Sequence, residues 1–307
     1  MKVSDFYKSL FGCKVYKVSL DAGCTCPNRD GTKGRGGCLF CSTRGSGEVA
    51  SDKTLSITDQ LNSGIQKVVK KASGRSGKNE HKFIAYFQNF TSTYGDEEKL
   101  IQKYRVSLSH PDVAGISIAT RPDCLSDKII EFISDISNQT FVQIELGLQT
   151  AKASTSKLMN IQHDYSDYEE AVNRIKTAAP KVHLVTHLIF GLPGESASDM
   201  LKSVQFVNLI NTQACCNLSE RDKFFGIKIT ELFIVSDAPL IESYREGKIK
   251  VLEIDEYFDL VKQALKMLDK TCIIHRLTGD PPLKTLVAPE WSRDKKRLLS
   301  RVNSILP

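Results

Sequence analysis

The pattern of apolar and polar residues alternates between two periods along the chain. Short apolar runs, typical of buried strands, are followed by longer segments in which apolar residues recur every three or four positions, as on one face of a helix. The short runs predict strands at 15–20, 82–89, 115–119, 141–148, 183–190, 228–235 and 272–274. The longer segments predict helices at 58–72, 97–108, 126–136, 167–178, 198–210, 254–268 and 293–305. The segment at 73–78, SGRSGK, is predicted to be an exposed loop.

Two of the predicted helices begin with capping signals. Ser126 is a candidate N-cap for the helix at 126–136, because its hydroxyl can accept a hydrogen bond from an unpaired amide of the first turn. Ser166, with Glu169 three residues later, has the pattern of a capping box ahead of the helix at 167–178.

The order of these elements predicts an α/β fold. About six βα units follow a segment rich in glycine and cysteine at 21–47, and repeated βα units imply a parallel sheet covered by helices. The periodicity fits an open sheet or a partial barrel equally well. In both, the active site is expected at the carboxyl ends of the strands. Polar motifs follow the strands at these ends, at 88–94, 120–123, 147–150 and 191–195.

Composition and charge narrow the class of protein. The 307 residues are 41% hydrophobic and carry a formal net charge of +6, which is ordinary for a globular protein and allows an anionic partner without requiring one. No apolar stretch approaches the roughly 20 residues that a membrane span needs, and the first 18 residues contain no apolar core of a signal peptide. We therefore expect a cytoplasmic protein with no membrane partner.

Four of the nine cysteines crowd into one glycine-rich segment, at Cys24, Cys26, Cys38 and Cys41. An odd number of cysteines in a chain without a secretion signal argues against a disulfide framework. Thiolates are soft ligands that select zinc or iron–sulfur clusters. The loop itself leaves two interpretations open. All four thiols can form a closed structural zinc site, or three of them can hold an iron–sulfur cluster with one open iron position.

The strands carry further candidates for a buried site. Glu145 and Gln149 are four residues apart on one strand, so both side chains are predicted to point to the same face. A carboxylate buried there needs a partner, because an unpaired buried charge is costly. His183 and His187 share a face by the same rule, and a role in a pocket and a role in the core are about equally expected.

The region 284–301 is basic and contains Trp291. Its charged residues are Lys284, Arg293, Lys295, Lys296, Arg297 and Arg301 against Glu290 and Asp294. Cations beside an aromatic ring suit contact with nucleic acid. The alternative is a solvated helix that packs Leu298, Val302 and Ile305 against the core.

The cysteine segment resembles the cluster motif of radical S-adenosylmethionine (SAM) enzymes. The resemblance lies in Cys26-Pro27 and in Cys38-Leu39-Phe40-Cys41, where an aromatic residue precedes the last cysteine. Eleven residues separate Cys26 from Cys38, against three in the common superfamily motif, and this longer gap resembles the radical SAM domain of the Elongator catalytic subunit. Further motifs resemble the YhcC/YtqA-type radical SAM family: CPNRDG, GGCLFC, YFQNFTSTY, TRPD, ELGLQT, GLPGE and HRLTGDPP.

The resemblance implies a partial (βα)6 TIM-like barrel with an N-terminal cysteine-rich cluster loop and a C-terminal extension. It implies a [4Fe–4S] cluster held by Cys26, Cys38 and Cys41, with Cys24 outside the ligand set. One-electron reduction of SAM at the cluster would release a 5′-deoxyadenosyl radical, which abstracts hydrogen from a substrate. The expected contacts to SAM are Gln88, Glu145, Gln149, His187 and Gly191. The expected contacts to substrate are Arg121, Asp123, Arg276, Trp291 and Lys295.

Three functions follow as hypotheses. By analogy with the Elongator subunit, the first is modification of tRNA at the C5 side chain of wobble uridine, with an electron donor such as flavodoxin or ferredoxin. No segment after the radical SAM region is long enough for an acetyltransferase domain, so we expect remodelling of an existing side chain. The second is a radical SAM enzyme acting on a small molecule or a protein. The third is a non-catalytic, zinc-stabilised RNA-binding protein. The predicted divisions are 1–50 for the cluster segment, 51–245 for the barrel and 246–307 for the extension.

Overall fold

The central element is a sheet of seven parallel strands that follow one another in chain order, except that a short strand outside the sheet precedes the last. The structure, a computed structural model, describes residues 1–45, 51–72 and 81–306. The sheet strands are β1 (Lys14–Leu20), β2 (His81–Phe87), β3 (Val113–Thr120), β4 (Phe141–Gln149), β5 (His183–Phe190), β6 (Phe225–Glu231) and β8 (Cys272–Arg276). β7 (Ile234–Val235) and β9 (Leu286–Ala288) pair antiparallel beside it.

Most of the helices cover the outer face of the sheet. They are α1 (Val3–Phe11), α2 (Ile57–Ala72), α3 (Glu97–Leu108), α4 (Asp127–Ser137), α5 (Ala153–Leu158), α6 (Tyr165–Ala178), α7 (Ala197–Cys215), α8 (Leu240–Arg245), α9 (Ile254–Met267) and α10 (Lys295–Ile305). A 3₁₀ turn at Glu290–Arg293 precedes α10. No helix in these described ranges is long and apolar enough to cross a membrane.

The sheet is curled into a partial barrel, which confirms the predicted fold class. Glu145 on β4 contacts Lys17 on the edge strand β1, three strands away, and also Lys228 on β6. These contacts across the sheet require strong curvature. Within the described residues β1 and β8 do not pair with each other, so the barrel stays open along one side.

The two faces of each strand have different compositions. On β4, Ile144 and Leu146 point outward into the core under the helices, whereas Gln143 and Glu145 point inward into the lumen. The outer face is built of apolar side chains, and the inner face at mid-height is polar. A parallel sheet with both faces covered is ordinarily apolar on both, so the polar lumen marks the face reserved for chemistry.

Helix α1 closes the lower end of the lumen, where the strands begin. Phe6 and Tyr7 are buried against Ile84 and Ile273, and the Tyr7 hydroxyl donates a hydrogen bond of 2.8 Å to Gln143 Oε1. The lumen is therefore closed at its lower end and opens toward the carboxyl ends of the strands.

The predicted elements are found close to their expected positions, with two corrections. The strand predicted at 228–235 is divided, because β6 ends at Glu231 and β7 leaves the sheet to pair with β9. The capping box of α6 is formed by Asp164 and Asp167, and the predicted pair Ser166 and Glu169 was wrong. An aspartate caps as well as a serine does, and Asp164 stands two residues earlier.

Three further predictions concern a helix cap, a loop and the division of the chain. The Ser126 N-cap is confirmed, since its hydroxyl accepts from the Ile129 amide at 3.2 Å. The loop predicted at 73–78 lies outside the described residues. The division of the chain at residues 50 and 245 stays a prediction.

Candidate cofactor and substrate site

The cysteine loop follows β1 and is fastened to the chain after α5. The fully buried Asn28 donates from Nδ2 to the Asn160 carbonyl at 2.5 Å and lies 3.6 Å from Cys38 Sγ. Asn160 in turn donates to the carbonyls of Arg35 (3.1 Å) and Gly37 (2.8 Å). Two asparagines therefore set the shape of the loop.

The glycines of the loop make this close packing feasible. A Cβ on Gly34 would lie 2.2 Å from Asn28 Oδ1, and a Cβ on Gly37 would lie 2.9 Å from the Arg29 side chain. Gly37 also has a φ of +79°, a conformation that favours glycine. The spacing of 11 residues between Cys26 and Cys38 is therefore occupied by a loop that folds back on itself.

Three of the four clustered cysteines come together. Cys38 and Cys41 contact each other across a turn, in which the Cys41 amide donates to the Cys38 carbonyl at 2.9 Å. Cys26 is close enough to Cys38 to influence its charge. Cys24 is separate: it packs at the edge of the main core, and burial raises the pKa of its thiol to about 12.

Two arginines give this cysteine group a positive environment. The hydrogen bond from Cys38, together with the charges of Arg29 and Arg121, lowers the pKa of the Cys41 thiol to about 7, although burial acts in the opposite direction. Arg29 also donates to the Ser42 carbonyl at 2.5 Å. Thiolates are the metal-binding form of cysteine, so these arginines favour the state that binds a metal centre.

Arg121 is held in place by a rigid set of partners. Its guanidinium forms two hydrogen bonds to Asp123, of 2.9 and 2.8 Å, and donates to the Ile161 carbonyl at 2.8 Å. Lys33 from the cysteine loop adds an ion pair of 2.6 Å to Asp123. Although burial would raise it, these cations lower the pKa of the Asp123 carboxyl to about 2. The TRPD motif therefore links the end of β3 to the cysteine loop.

These residues fit an iron–sulfur cluster better than a single zinc ion. In the described residues no three His, Cys, Asp or Glu side chains converge as the ligands of one metal ion do. The thiolates of a cubane bind different iron atoms, so they need not converge on one point. The Asn28 amide beside Cys38 Sγ and the two arginines supply the N–H groups and positive charge that iron–sulfur sites use.

Glu145 is the centre of a hydrogen-bonding network in the lumen. Its carboxylate is fully buried and accepts six hydrogen bonds of 2.5–3.0 Å, three on each oxygen. The donors are Lys17, Ser117 and Gln143 on Oε1, and Tyr86, His187 and Lys228 on Oε2. Burial opposes ionisation, but the charges of Lys17 and Lys228 hold the pKa of Glu145 well below its ordinary value.

The two predicted strand histidines both point into the lumen. Burial lowers the pKa of His187 to about 4, so its neutral ring donates from Nε2 to Glu145 at 2.8 Å. His183 lies deeper, where its Nε2 is 2.8 Å from Nε2 of His275, and burial lowers its pKa to about 3. His183 therefore belongs to the packed floor, and His187 to the network around Glu145.

The other residues expected at SAM lie at the upper rim of the lumen. Gln88 directly follows β2, Gln149 ends β4, and Gly191 directly follows β5. Gln149 has a φ of +70°, and its side-chain amide folds over Gly147, where a Cβ would be only 2.7 Å away. Glu145 lies below this rim, four residues before Gln149 on β4, and its carboxylate already accepts six hydrogen bonds from protein side chains. Its contact with SAM stays a prediction, as do the contacts of the rim residues.

The C-terminal candidates separate into two groups. Arg276 pairs with Asp280, and Asp280 pairs with Lys295 at 2.8 Å, which forms a charged row beside β8. Trp291 lies elsewhere: its ring packs 5.5 Å from that of Tyr257. The α10 face with Leu298, Val302 and Ile305 packs on the core, as the solvated-helix alternative predicted. Contact of Trp291 with substrate stays a prediction.

Several lumen residues were missed from the sequence. Lys17, Ser117 and Lys228 each interrupt an apolar strand with one polar side chain, and Tyr86 belongs to an aromatic strand. A polar residue flanked on both sides by apolar ones in a buried strand indicates a polar inner face, so this signal was present.

Comparisons with known proteins agree with the geometry. The model of the Radical SAM superfamily matches residues 28–207, and that of the Radical_SAM C-terminal domain matches residues 225–306. YtqA of Bacillus subtilis (strain 168) is 38% identical over 296 residues, covering 96% of this chain and 86% of YtqA. YhcC of Escherichia coli (strain K12) is 30% identical over 286 residues, covering 93% and 85%.

Two further matches are more distant. A tRNA-2-methylthio-N(6)-dimethylallyladenosine synthase of Clostridium tetani (strain Massachusetts / E88) is 25% identical over 233 residues, which cover 74% of this chain and 48% of that enzyme. The structure of Elp3 from the archaeon Methanocaldococcus infernus superposes with a TM-score of 0.63 at 16% identity, covering 95% of this chain. This chain spans 64% of that Elp3 chain, and the likeness is one of fold.

The chain is a radical SAM enzyme, a class whose members use a [4Fe–4S] cluster and SAM. Within that class it belongs to the family of YtqA and YhcC. The alternative of a non-catalytic zinc protein was therefore wrong. The four-cysteine spacing alone suggested it, because spacing does not show that Cys24 turns into the core.

Proposed function

We propose that this radical SAM enzyme acts on tRNA and remodels the C5 side chain of a wobble uridine. The observation that supports radical chemistry best is the group of Cys26, Cys38 and Cys41 beside Arg29 and Arg121, at the open end of a lumen closed below. For the substrate, the support is the tRNA named for the Clostridium tetani relative and the resemblance to the Elongator subunit.

In this proposal the three cysteines hold the cluster, and the rim residues Gln88, Gln149 and Gly191 contact SAM with Glu145 and His187 below them. The cluster and SAM, when bound, would supply a 5′-deoxyadenosyl radical. The protein must keep this radical from water and from its own oxidisable groups. Packing of α1 against the lower end of the lumen supports that role, because it shields the lumen from bulk water on that side.

The substrate would approach across the open side next to β8. Lys295 and Arg276 keep 71% and 43% of their side-chain surface exposed, enough to reach a phosphate while paired with Asp280. Arg121, Asp123 and Trp291 remain proposed substrate contacts, although the partners described above belong to the protein. A one-electron donor such as flavodoxin or ferredoxin would reduce the cluster, and a tRNA substrate implies a cytoplasmic reaction.

The cofactor assignment is tested by anaerobic reconstitution of wild type, Cys26→Ala and Cys24→Ala. We expect about four iron and four sulfide per chain in wild type, a loss of most of both in Cys26→Ala, and little change in Cys24→Ala. Equal losses in the two variants would contradict a three-cysteine site. Visible absorption distinguishes iron–sulfur from zinc, since zinc thiolates are colourless.

The tRNA assignment is tested by mass spectrometry of nucleosides from a strain without the gene. We expect a modified wobble uridine to be replaced by its precursor, and restoration by the wild-type gene but not by the Cys26→Ala gene. An unchanged nucleoside profile would exclude tRNA while leaving the radical SAM chemistry intact. A small molecule or a protein would then be the substrate.

A further inference from the structure

The lumen carries more positive charge than its acidic groups balance. Lys17 and Lys228 both pair with Glu145 at 2.5 Å, so two ammonium groups share a single carboxylate. The Glu145 side chain is 0% exposed, whereas those of Lys17 and Lys228 are 20% and 12% exposed. The carboxylate is therefore inaccessible, whereas both lysine side chains keep some exposed surface.

Each ammonium group also keeps hydrogen-bonding capacity. An ammonium has three N–H donors. Among the residues that the structure describes, Lys17 meets Glu145 and, at 3.4 Å, the Ser117 hydroxyl, while Lys228 meets Glu145 and, at 3.4 Å, the Tyr86 hydroxyl. One N–H of each lysine remains for a further acceptor. The Tyr86 ring lies between them, 4.6 Å from Lys17 Nζ and 5.1 Å from Lys228 Nζ.

The surrounding groups do not cancel the excess charge. Arg276 is compensated by Asp280, which Lys295 also contacts. The titratable and charged groups that act on Lys228 from the neighbouring strands are Lys17, Tyr86, Glu145, His187, His275 and Arg276. The histidines are neutral at physiological pH because burial lowers their pKa values. While Lys17 and Lys228 are both protonated, one positive charge therefore remains in the lumen without a counterion, and a buried charge of that kind is costly.

We propose that the lumen between Lys17 and Lys228 binds an oxyanion of the substrate, a carboxylate or a phosphate. The anion would accept the remaining N–H of each lysine above the Tyr86 ring and restore the charge balance. Burial lowers the pKa of Lys228 to about 7, so a bound anion would also keep this lysine protonated. The inference rests on the radical SAM assignment and is independent of the tRNA substrate.

Thermal unfolding and calorimetry of the reconstituted holoenzyme test the site with acetate and with inorganic phosphate, at fixed chloride and ionic strength. We expect at least one of them to raise the melting temperature of wild type, and the effective probe identifies the class of anion. Stabilisation by neither, or equal stabilisation by added chloride, would overturn the proposal.

Two lysine variants and a control assign the effect to the site. Lys228→Met and Lys17→Met each leave the other lysine paired with Glu145, so the lumen becomes balanced and the fold should persist. We expect either change to weaken anion binding about tenfold or more, the loss of one charge-assisted hydrogen bond. The exposed Lys284→Met should change it by less than about twofold. Wild-type affinity in both lumen variants would contradict the site.

Glu145→Gln tests the charge argument in the opposite direction, because removal of the carboxylate adds a second uncompensated charge. Anion binding should then become tighter than in wild type, and weaker binding would contradict the argument. SAM carries its own carboxylate, so the titration is repeated with saturating SAM. Unchanged binding supports a substrate subsite, and complete loss would assign the lysines to SAM and overturn the proposal.

Discussion

At the scale of the residue, the site depends on polar groups that are buried and hydrogen-bonded to one another. Arg121 shows this most clearly, because it contacts the strand end, the chain after α5 and, through Asp123 and Lys33, the cysteine loop. Breaking a buried ion pair leaves the surviving charge uncompensated, which costs more than the pair itself contributes. The TRPD motif is therefore a candidate substrate contact that also connects these three parts of the structure.

The first prediction concerns the buried ion pair between Arg121 and Asp123. Arg121→Met should destabilise the fold by about 3–5 kcal/mol, the cost of breaking a buried ion pair, because Asp123 is 3% exposed and would then rely on the ion pair with the part-exposed Lys33. Urea unfolding of the protein measures it. The control Lys33→Met removes a lysine that is 40% exposed and should cost about 0–1 kcal/mol. Similar costs for the two variants would contradict the role given to Arg121.

The same ion pair makes the stability of the fold depend on pH. The pKa of Asp123 is about 2 in the folded protein against an ordinary 3.8, so its contribution to stability is present above about pH 4 and is lost as the pH falls toward 2. In Arg121→Met the pKa of Asp123 should return toward its ordinary value. The acid unfolding midpoint of that variant should accordingly lie at a higher pH than that of wild type.

At the scale of the element, sequence periodicity predicts the helices and strands that are long and regular. Every strand of the sheet was predicted because apolar residues fill its outer face, and the helices from α2 onward that exceed ten residues were predicted because they repeat an apolar face several times. Helices α5 and α8 have six residues each, too few for a repeat to be visible. Their positions depend on contacts with distant parts of the chain.

Helix α1 was also missed, although it determines where the lumen opens. Phe6 and Tyr7 lie on one face of this nine-residue helix, but the sequence does not show which residues pack against that face. The partners, Ile84 and Ile273, come from β2 and β8, which are separated by four strands of the sheet. Only the curled sheet brings them together.

The prediction for α1 is that Phe6→Ala destabilises the protein by about 3–5 kcal/mol, the usual cost of a cavity left by a buried aromatic ring. Phe6 is 4% exposed and packs between the floor aromatics Phe141 and Phe224. Guanidinium unfolding of Phe6→Ala and of the exposed control Leu299→Ala measures it. A cost below about 1 kcal/mol for Phe6→Ala would show that the floor does not depend on this ring.

At the scale of the whole molecule, the lumen network could not be predicted from any one segment. Glu145 was predicted to be a buried carboxylate in need of a partner, and its six donors come from the inner faces of β1 to β6. Such a network needs the sheet to close far enough that residues more than 100 positions apart share one space. The proposed cysteine ligands could be named from the sequence because they lie within one loop.

The lumen charge gives the last prediction, a dependence of stability on pH. The pKa of Lys228 is about 7 in the folded protein and ordinarily 10.5, because burial outweighs the attraction of Glu145. Between these values the unfolded chain binds more protons than the folded one, so the contribution of Lys228 makes stability rise with pH from about 7 upward. Below about pH 7 the lysine is charged in both states and its contribution is constant.

Urea unfolding of wild type and Lys228→Met at pH 6, 7, 8 and 9 isolates this contribution, since groups that titrate in both proteins cancel in the difference. Above pH 7, the free energy of unfolding of wild type should rise relative to that of the variant by up to about 1.4 kcal/mol per pH unit. Below pH 7, the difference between the two should not change with pH. Lys284→Met should run parallel to wild type over the whole range. Parallel curves for Lys228→Met as well would mean that the lysine is not held in an unfavourable charged state, and the argument for an anion in the lumen would lose its energetic basis.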